Sequence, residues 1–309
     1  MTDSCGCVAA IDVHGLRMRY GSTDVLNGVS LHVQRGQVVA LLGPNGAGKT
    51  TMIEILEGFR SRSAGQVTVL GVDPFAGSQA WRARVGIVLQ SWRDHGKWRV
   101  REFLANQGSL YVPYATVDEP RPWNVETLLA AVGLADQAGQ QVRRLSGGQR
   151  RRLDVAVGLV GRPELLFLDE PTAGLNPRAR RDFHDLLQQA AAELEMTVLI
   201  TTHDLAEADR LADRIAILFD GRIIAEGTSA ELTRQIAGHD RVGWLQDGHR
   251  FERATPDATR FVRELFDAHG YEITELEITR AKLDDTYLML MHAAEQHHDP
   301  VGDGDQAAA

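Results

Sequence analysis

This 309-residue chain has no long apolar run and very little lysine. No apolar run reaches the roughly 18 residues that a membrane-spanning helix needs, so we expect no such helix. The first residues have neither the basic start nor the apolar core of a secretion signal. Lysine occurs only at positions 49, 97 and 282, and the net charge is −9. This charge balance disfavours a protein that binds nucleic acid by neutralising its phosphates.

Cysteine is also scarce. Cys5 and Cys7 are the two cysteines, and they lie close together near a chain terminus. A metal site would need further ligands, and His14 is the only candidate nearby in the sequence, so we expect reduced thiols. Residues 293–309 are polar and small and are predicted to be a disordered tail, with metal binding by a histidine pair as the lesser alternative.

Glycine, in contrast, is abundant, and one stretch places it in a phosphate-binding pattern. The pattern G-x-x-x-x-G-K-[ST] is matched at every fixed position by Gly43, Pro44, Asn45, Gly46, Ala47, Gly48, Lys49 and Thr50. Residues 37–42 read as a buried strand and residues 51–56 as a helix, which is the required context. We expect residues Gly43 to Thr51 to surround phosphate with backbone N–H groups, aided by the helix dipole. Lys49 should reach the β- and γ-phosphates, and the Thr50 hydroxyl should ligate Mg²⁺.

A second set of motifs follows at fixed spacing. Its members are Gln90; the run Leu145, Ser146, Gly147, Gly148 and Gln149; the pair Asp169 and Glu170; residues 173–176; and the run Thr201, Thr202, His203 and Asp204. In order and spacing these motifs resemble those of the ATP-binding subunit of ABC transporters. Residues 145–149 correspond to the signature sequence of that family. The resemblance covers roughly residues 10–228, about three quarters of the chain.

Several of these residues are candidates for binding metal or for catalysis. Asp169 ends an apolar strand, where a carboxylate needs a cation partner, and Mg²⁺ is the natural one. By resemblance, Glu170 polarises the attacking water, and a helix-capping or salt-bridging acid pair is the alternative. His203 can contact the γ-phosphate and hold Glu170 in line, although a lone histidine after a strand is more often structural. The Gln90 amide can bond both a Mg²⁺-bound water and the substrate water.

Two further sites depend on the same resemblance. Tyr20 precedes a glycine and a loop and would stack on adenine; a core or edge-strand tyrosine is the alternative. Residues 146–149 offer a second phosphate-binding surface at the head of a helix predicted over 149–159. One chain already has a phosphate cradle, so the resemblance implies a head-to-tail homodimer in which each signature covers the ATP of the other copy.

The pattern of strands and helices predicts an α/β fold with a P-loop NTPase core. Residues 11–33 alternate as in a β-rich subdomain, and a helical subdomain is expected from about 91 to 160. Strand signals recur at 66–70 and 85–89. The runs at 165–168 and 197–200 have the length of buried strands and flank a helical pattern, and strands that alternate with helices indicate a parallel sheet. Asp220 and Gly221 predict a type I′ hairpin turn between residues 215–219 and 222–225.

Residues 229–292 are predicted to be a separate, small α+β domain. They contain a hairpin signal at Asp247 and Gly248, a helical pattern over 258–269, an alternating run over 271–278 and a final helix over 283–290. This segment resembles the appendage of ABC ATPases that serve multidrug and polyketide-type exporters. The terminal helix of that appendage often has a Leu-Asp-Asp core, which residues 283–285 match.

The resemblance implies an ATP-hydrolysing exporter subunit at the cytoplasmic face of the cell membrane. It would bind ATP and Mg²⁺ and drive a separate transmembrane permease, with a drug, antibiotic or lipid-like cargo and no nucleic acid partner. Residues 91–98, rich in Trp and basic residues, should face the permease; packing of Trp92 and Trp98 is the alternative. Competing functions are a soluble ABC-type ATPase acting on nucleic acid or ribosomes, and a regulatory nucleotide binder that does not hydrolyse ATP.

Overall fold

Two compact units make up the chain, Met1–Glu226 and Gly227–Ala309. The computed structural model describes residues 9–88, 95–193, 196–236, 240–279 and 287. Several sequence predictions lie outside the described residues: Cys5 and Cys7, Gln90 and Trp92, the tail, and all of the predicted terminal helix except Tyr287.

Strands and helices alternate along the first unit. Its strands are β1 Ala9–Tyr20, β2 Thr23–Gln34, β3 Val38–Leu42, β4 Ala64–Val69, β5 Val85–Val88, β6 Leu165–Asp169, β7 Thr197–Thr202, β8 Arg214–Phe219 and, ending at the boundary, β9 Arg222–Gly227. Its helices are α1 Lys49–Leu56, α2 Gln79–Arg82, α3 Val100–Ser109, α4 Val125–Ala131, α5 Gly147–Leu159, α6 Pro177–Glu193 and α7 Leu205–Leu211.

The centre of this unit is a six-stranded sheet in the order β5-β6-β7-β3-β8-β9. The pairs β5/β6, β6/β7, β7/β3 and β3/β8 are all parallel, which confirms the predicted α/β class. Asp220 and Gly221 connect β8 to β9 with φ values of 45° and 69°, as a type I′ turn requires. Because parallel strands end at the same edge, the residues that follow β3, β6 and β7 are brought together there.

A three-stranded antiparallel sheet, β2-β1-β4, lies beside the central sheet. Helix α1 packs against β2 and β4 of this sheet and against β6 of the central one. Leu41, Phe167 and Leu199 belong to the apolar core around α1. Successive side chains of a strand point to opposite faces of the sheet. The buried residues next in sequence to these three therefore face the other side of the central sheet, where α7 packs against β3 and β7. The central sheet is therefore covered on both faces.

Helices α3, α4 and α5 fall within the segment predicted to be helical. Val100, Phe103 and Leu104 of α3 are buried, and α5 packs against β5, α3 and α6. Trp98 lies just before α3, with its ring 5.7 Å from that of His95, and it is 40 % exposed. The partner groove expected over residues 91–98 stays a prediction.

The second unit is small and mixed. Its elements are α8 Ser229–Ile236, β10 Asp240–Gln246, β11 His249–Thr255, α9 Ala258–His269 and β12 Ile273–Thr279. The strands form an antiparallel sheet in the order β11-β10-β12, and α9 packs against β10 and β12 around Val242, Trp244 and Leu265. Strand β12 begins two residues later than predicted, because residues 270–272 form a 3₁₀ turn. No helix in the described part of the chain is long and apolar enough to cross a membrane.

Candidate nucleotide-binding site

Residues 43–51, here called the phosphate loop, connect β3 to α1. Gly46 and Gly48 have φ values of 84° and 103°, in the left-handed region that favours glycine. A Cβ atom on Gly48 would lie 2.8 Å from Leu26 Cδ2 and 2.9 Å from the Val25 carbonyl oxygen. Gly48 is therefore required both by its backbone conformation and by the close approach of the loop to β2.

The backbone amides of this loop fit an anionic ligand. Within the described residues, the amides of Gly46, Gly48, Lys49, Thr50 and Thr51 donate to no backbone carbonyl. The first turn of any helix leaves backbone N–H donors without partners inside the helix. These donors and the positive end of the helix dipole favour the binding of an anion at the start of α1. The loop thus has the donors that the phosphates of a nucleotide need.

Lys49 connects the phosphate loop to the end of β6. Its side chain is only 5 % exposed, and its Nζ donates to the carbonyl oxygens of Gly43 at 2.7 Å and Pro44 at 3.0 Å. The same nitrogen lies 3.4 Å from Glu170 Oε1. A buried ammonium is costly without such partners, so these contacts fix the charge at the edge of the sheet.

Glu170 lies between two functional side chains. Its Oε1 faces Lys49 Nζ, and its Oε2 lies 3.4 Å from His203 Nδ1. The backbone at Glu170 has a positive φ of 42°, and its amide donates to Thr201 Oγ1 at 3.0 Å. The structure therefore brings together three residues that come from α1, β6 and the end of β7.

Asp169 is the last residue of β6 and pairs in register with Thr201 of β7. The fully buried Thr201 hydroxyl donates to Asp169 Oδ1 at 2.5 Å. The sequence motif contained Thr201, but its role was missed, because its neighbour is known only once β6 and β7 are known to be adjacent. The Thr50 hydroxyl and the Asp169 carboxylate are the hard oxygen donors that Mg²⁺ prefers, so the donor set fits that ion. Gln90, the third predicted ligand, lies outside the described residues.

A buried polar network fixes the residues on either side of His203. The Thr202 hydroxyl donates to Glu207 Oε2 at 2.5 Å, and Glu207 Oε1 lies 3.2 Å from His184 Nε2. The side chains of His184 and Glu207 are at most 4 % exposed. Asp204 caps α7 by accepting from the Glu207 amide at 3.2 Å. Sequence analysis missed His184 and Glu207, which are 23 residues apart and lie on different helices.

Glu57 is a further residue that sequence analysis missed. It follows α1 directly and is 6 % exposed. Burial raises the pKa of its carboxyl group to about 8, and repulsion by Asp169 and Glu54 adds to the effect. The charged form of Glu57 is thus disfavoured next to the Asp169 carboxylate.

The signature residues 146–149 form the cap and the first turn of α5. Ser146 caps the helix: its hydroxyl accepts from the Gln149 amide at 3.3 Å, and its own amide donates to Gln149 Oε1 at 3.0 Å. Gly147 and Gly148 line a cleft of about 510 Å³ together with these two residues. Within the described residues, no hydrogen bond or ion pair joins the signature to the phosphate loop of the same chain.

Tyr20, the last predicted binding residue, ends β1 and is 40 % exposed. It is therefore not a core tyrosine, and its stacking on adenine stays a prediction. The guanidinium carbon of Arg60 lies 5.2 Å from its ring centroid. Tyr20 pairs with Thr23 in the hairpin whose second strand contacts Gly48 through Val25. The ring is thus carried by a hairpin that packs on the phosphate loop.

The sequence of this chain is similar to those of known ATP-binding proteins. Residues 26–173 match the family model described as ABC transporter. The chain is 42 % identical over 233 residues to the daunorubicin resistance ATP-binding protein DrrA3 of Streptomyces coeruleorubidus, covering 75 % of this chain and 72 % of that protein. It is 32 % identical to the doxorubicin resistance ATP-binding protein DrrA of Mycobacterium tuberculosis, covering 91 % and 93 %.

A solved structure of the same family has a similar fold. The crystal structure of an ABC transporter ATP-binding cassette in its ADP conformation is 26 % identical, with a TM-score of 0.64 and coverage of 72 % of this chain and 92 % of that one. The fold, the phosphate loop and the relatives lead to one conclusion. The chain belongs to the ABC transporter family, and it is an ATP-binding subunit of the kind that couples ATP hydrolysis to transport.

Proposed function

We propose that the phosphate loop and the end of β6 form a Mg²⁺-dependent ATPase site. The Lys49 ammonium and the free amides of Gly46 and of residues 48–51 bind the β- and γ-phosphates of ATP. Thr50, Asp169 and Gln90 hold Mg²⁺, either directly or through water. The bound Mg²⁺ would offset the negative charge of the phosphates, and the protein residues supply position and polarity.

The observation that carries this proposal is the location of Glu170 between Lys49 and His203. Each of its two oxygens lies 3.4 Å from one of these nitrogens. A carboxylate located next to the lysine that binds the phosphates is suited to polarise a water molecule for attack on the γ-phosphorus. His203 then holds that carboxylate in orientation and contacts the γ-phosphate.

The signature completes the site of a second copy. Residues 146–149 present a capped helix start and an open cleft, but they bond to no phosphate-loop residue of their own chain among those described. A head-to-tail homodimer would place each signature over the nucleotide of its partner, as twofold symmetry allows. The chain carries both halves, so each dimer would hold two competent sites.

The transported cargo is a drug, antibiotic or lipid-like compound, and a separate transmembrane permease carries it outward. The relatives named for daunorubicin and doxorubicin resistance support this cargo class. The ATPase domain spans residues 10–228, the α+β domain spans 229–292, and the tail follows. The subunit acts at the cytoplasmic face of the cell membrane, where the permease holds it.

Transport in membrane vesicles tests this function. The chain is co-expressed with a candidate permease, a membrane protein encoded by a neighbouring gene. ATP, Mg²⁺ and fluorescent daunorubicin are then added to the outside of inside-out vesicles. We expect ATP-dependent daunorubicin uptake and co-purification of the two proteins, and we expect uptake to be lost in Glu170→Gln. An equal uptake rate with the Glu170→Gln protein, or purification of the chain free of any membrane protein, would contradict the exporter role.

A further inference from the structure

The starting observation is that Arg60 covers one face of the Tyr20 ring. Its guanidinium carbon lies 5.2 Å from the ring centroid, within the range of a cation–π contact. The two residues are 40 positions apart in sequence, and Tyr20 keeps 40 % of its surface exposed. A planar ring has two faces, so a guanidinium on one face leaves the opposite face for a ligand.

Arg60 is itself fixed by α1. Its Nε donates to Glu54 Oε2 at 2.6 Å, and its backbone amide donates to the Glu54 carbonyl oxygen at 3.1 Å. Glu54 lies on α1, the helix that begins at Lys49 in the phosphate loop. The hydrogen bond to Glu54 is the main reason why the pKa of Arg60 is raised. A chain of contacts therefore runs from the phosphate loop through Glu54 and Arg60 to the Tyr20 ring.

The location of Tyr20 relative to the loop comes from a different set of contacts. Tyr20 ends β1, and Val25 and Leu26 of the paired strand pack against Gly48 of the phosphate loop. Two separate connections, one through the hairpin and one through Arg60, thus hold the ring beside the loop. A ligand that spans both would have phosphates at the loop and a flat group at the ring.

We propose that Arg60 is a positioning residue for the base of the nucleotide, since it fixes the plane of the Tyr20 ring on which the base stacks. This inference rests on the proposed role of Tyr20. The guanidinium lies over one face of the ring, and the base occupies the opposite face. The ligand class is a nucleoside triphosphate, and Arg60 acts on its base and not on its phosphates.

Binding of two probes, with and without a base, tests this role. ATP and inorganic tripolyphosphate are titrated calorimetrically into the full chain. We expect Arg60→Gln to weaken ATP binding about two- to five-fold, the size of an exposed cation–π contact, and to leave tripolyphosphate binding unchanged. Unchanged tripolyphosphate binding also shows that the variant is folded. Arg60→Lys should recover part of the loss. Arg17→Gln, at an exposed arginine of β1, the strand that carries Tyr20, should change neither affinity.

The pairing with Tyr20 is tested by a double-mutant cycle. Tyr20→Ala should weaken ATP binding by roughly five-fold or more, as loss of a stacked base does. In the Tyr20→Ala background, Arg60→Gln should cause no further loss, because the ring on which it acts is absent. Glu54→Gln, which releases Arg60, should weaken ATP binding by less than Arg60→Gln and leave tripolyphosphate binding unchanged.

The results that would contradict the role of Arg60 can be told apart from those that would contradict the role of Tyr20. Equal losses for ATP and tripolyphosphate in Arg60→Gln would place the cation at the phosphates and overturn the inference. Additive losses in the double variant, or an unchanged ATP affinity in Arg60→Gln, would also overturn it. If Tyr20→Ala itself binds ATP normally, the proposed role of Tyr20 fails, and the inference fails with it. If Tyr20→Ala binds poorly and Arg60→Gln normally, only the inference fails.

Discussion

The hydroxyl of Thr201 donates to Asp169 Oδ1 at 2.5 Å and accepts from the Glu170 amide at 3.0 Å. One buried side chain on β7 therefore aligns both acidic residues at the end of β6. A metal-binding carboxylate depends on such partners for its orientation, and their loss typically costs 10- to 100-fold in metal affinity or activity. Thr201 is thus as important to the site as the residues that face the ligand.

We expect Thr201→Val to lower kcat for ATP hydrolysis about ten-fold and to raise the Mg²⁺ concentration needed for half-maximal rate. Valine keeps the volume but cannot orient Asp169. Steady-state ATPase assays over a Mg²⁺ titration measure both effects. Thr197→Val is the matched control: Thr197 starts the same strand, is 2 % exposed and accepts from the Gly36 amide at 3.0 Å. Equal activity of the two variants would contradict the role of Thr201.

Lys49→Ala should lose affinity for ATP itself. The variant removes the buried ammonium that faces the phosphates, and a charge-assisted hydrogen bond of this kind corresponds to a loss of about 10- to 100-fold. Equilibrium binding of labelled ATP is the measurement. Lys97→Ala, at an exposed lysine, is the control and should bind normally. Unchanged affinity in Lys49→Ala would mean that the loop does not bind phosphate through this residue.

Glu170→Gln should abolish turnover and keep ATP binding. Loss of the general base corresponds to a fall in kcat of about 10²- to 10⁴-fold. The variant also removes the carboxylate that holds Lys49 at 3.4 Å, so its ATP affinity should be no weaker than that of the wild type. Size-exclusion chromatography with ATP should show a trapped dimer, because closure no longer ends in hydrolysis. Near-normal ATPase activity would rule out this role for Glu170.

Local patterns predicted the phosphate loop, the strand before it, the helix after it, and the carboxylates at the end of β6. Glycine spacing and short apolar runs are properties of neighbouring residues, so the sequence is enough for them. The contacts from Thr201 to Asp169 and from His184 to Glu207 could not be predicted from the sequence. They depend on which strands and helices are neighbours in space, as does the stacking of Arg60 on Tyr20 across 40 residues. The structure thus adds the residues that support the site.

Glu57 makes folding stability depend on pH. Its pKa is about 8 in the folded chain against an ordinary value of 4.5, so the folded state keeps a proton that the unfolded state releases between these values. Its contribution to stability is therefore present below pH 4.5 and is lost as the pH rises towards 8, by at most about 1.4 kcal/mol per pH unit. Glu57→Gln stays neutral, and it should be more stable than the wild type at pH 8.

Urea unfolding at pH 5 and pH 8 measures this effect. The stability advantage of Glu57→Gln should be larger at pH 8 than at pH 5, because only the wild type must bury a charge at the higher pH. Glu126→Gln, at an exposed glutamate of α4, is the control for removal of an acid and should show little difference between the two pH values. An advantage that is equal at both pH values would mean that Glu57 does not titrate in this range.

The last prediction joins the signature to the dimer. If residues 146–149 complete the site of the partner, Ser146→Arg should bind ATP and fail to hydrolyse it, because a bulky cation obstructs the approach to the γ-phosphate of the other copy. The substitution also removes the helix cap, which costs about 1 kcal/mol of stability. Ser146→Ala removes the same cap without the bulk, so it separates the two effects and should be less impaired than Ser146→Arg.

Mixing Ser146→Arg with Lys49→Ala protein should then restore activity that neither has alone. In a mixed dimer one site combines an intact Lys49 with an intact Ser146, and the other site carries both defects. Random pairing at equal amounts makes half of the dimers mixed, with one good site in two, so the rate should reach about a quarter of the wild-type value. This requires that one good site is sufficient, since strict coupling between sites would give no rescue. A rate that peaks at equal mixing would support the shared site, and full activity of Ser146→Arg alone would show that the signature is dispensable.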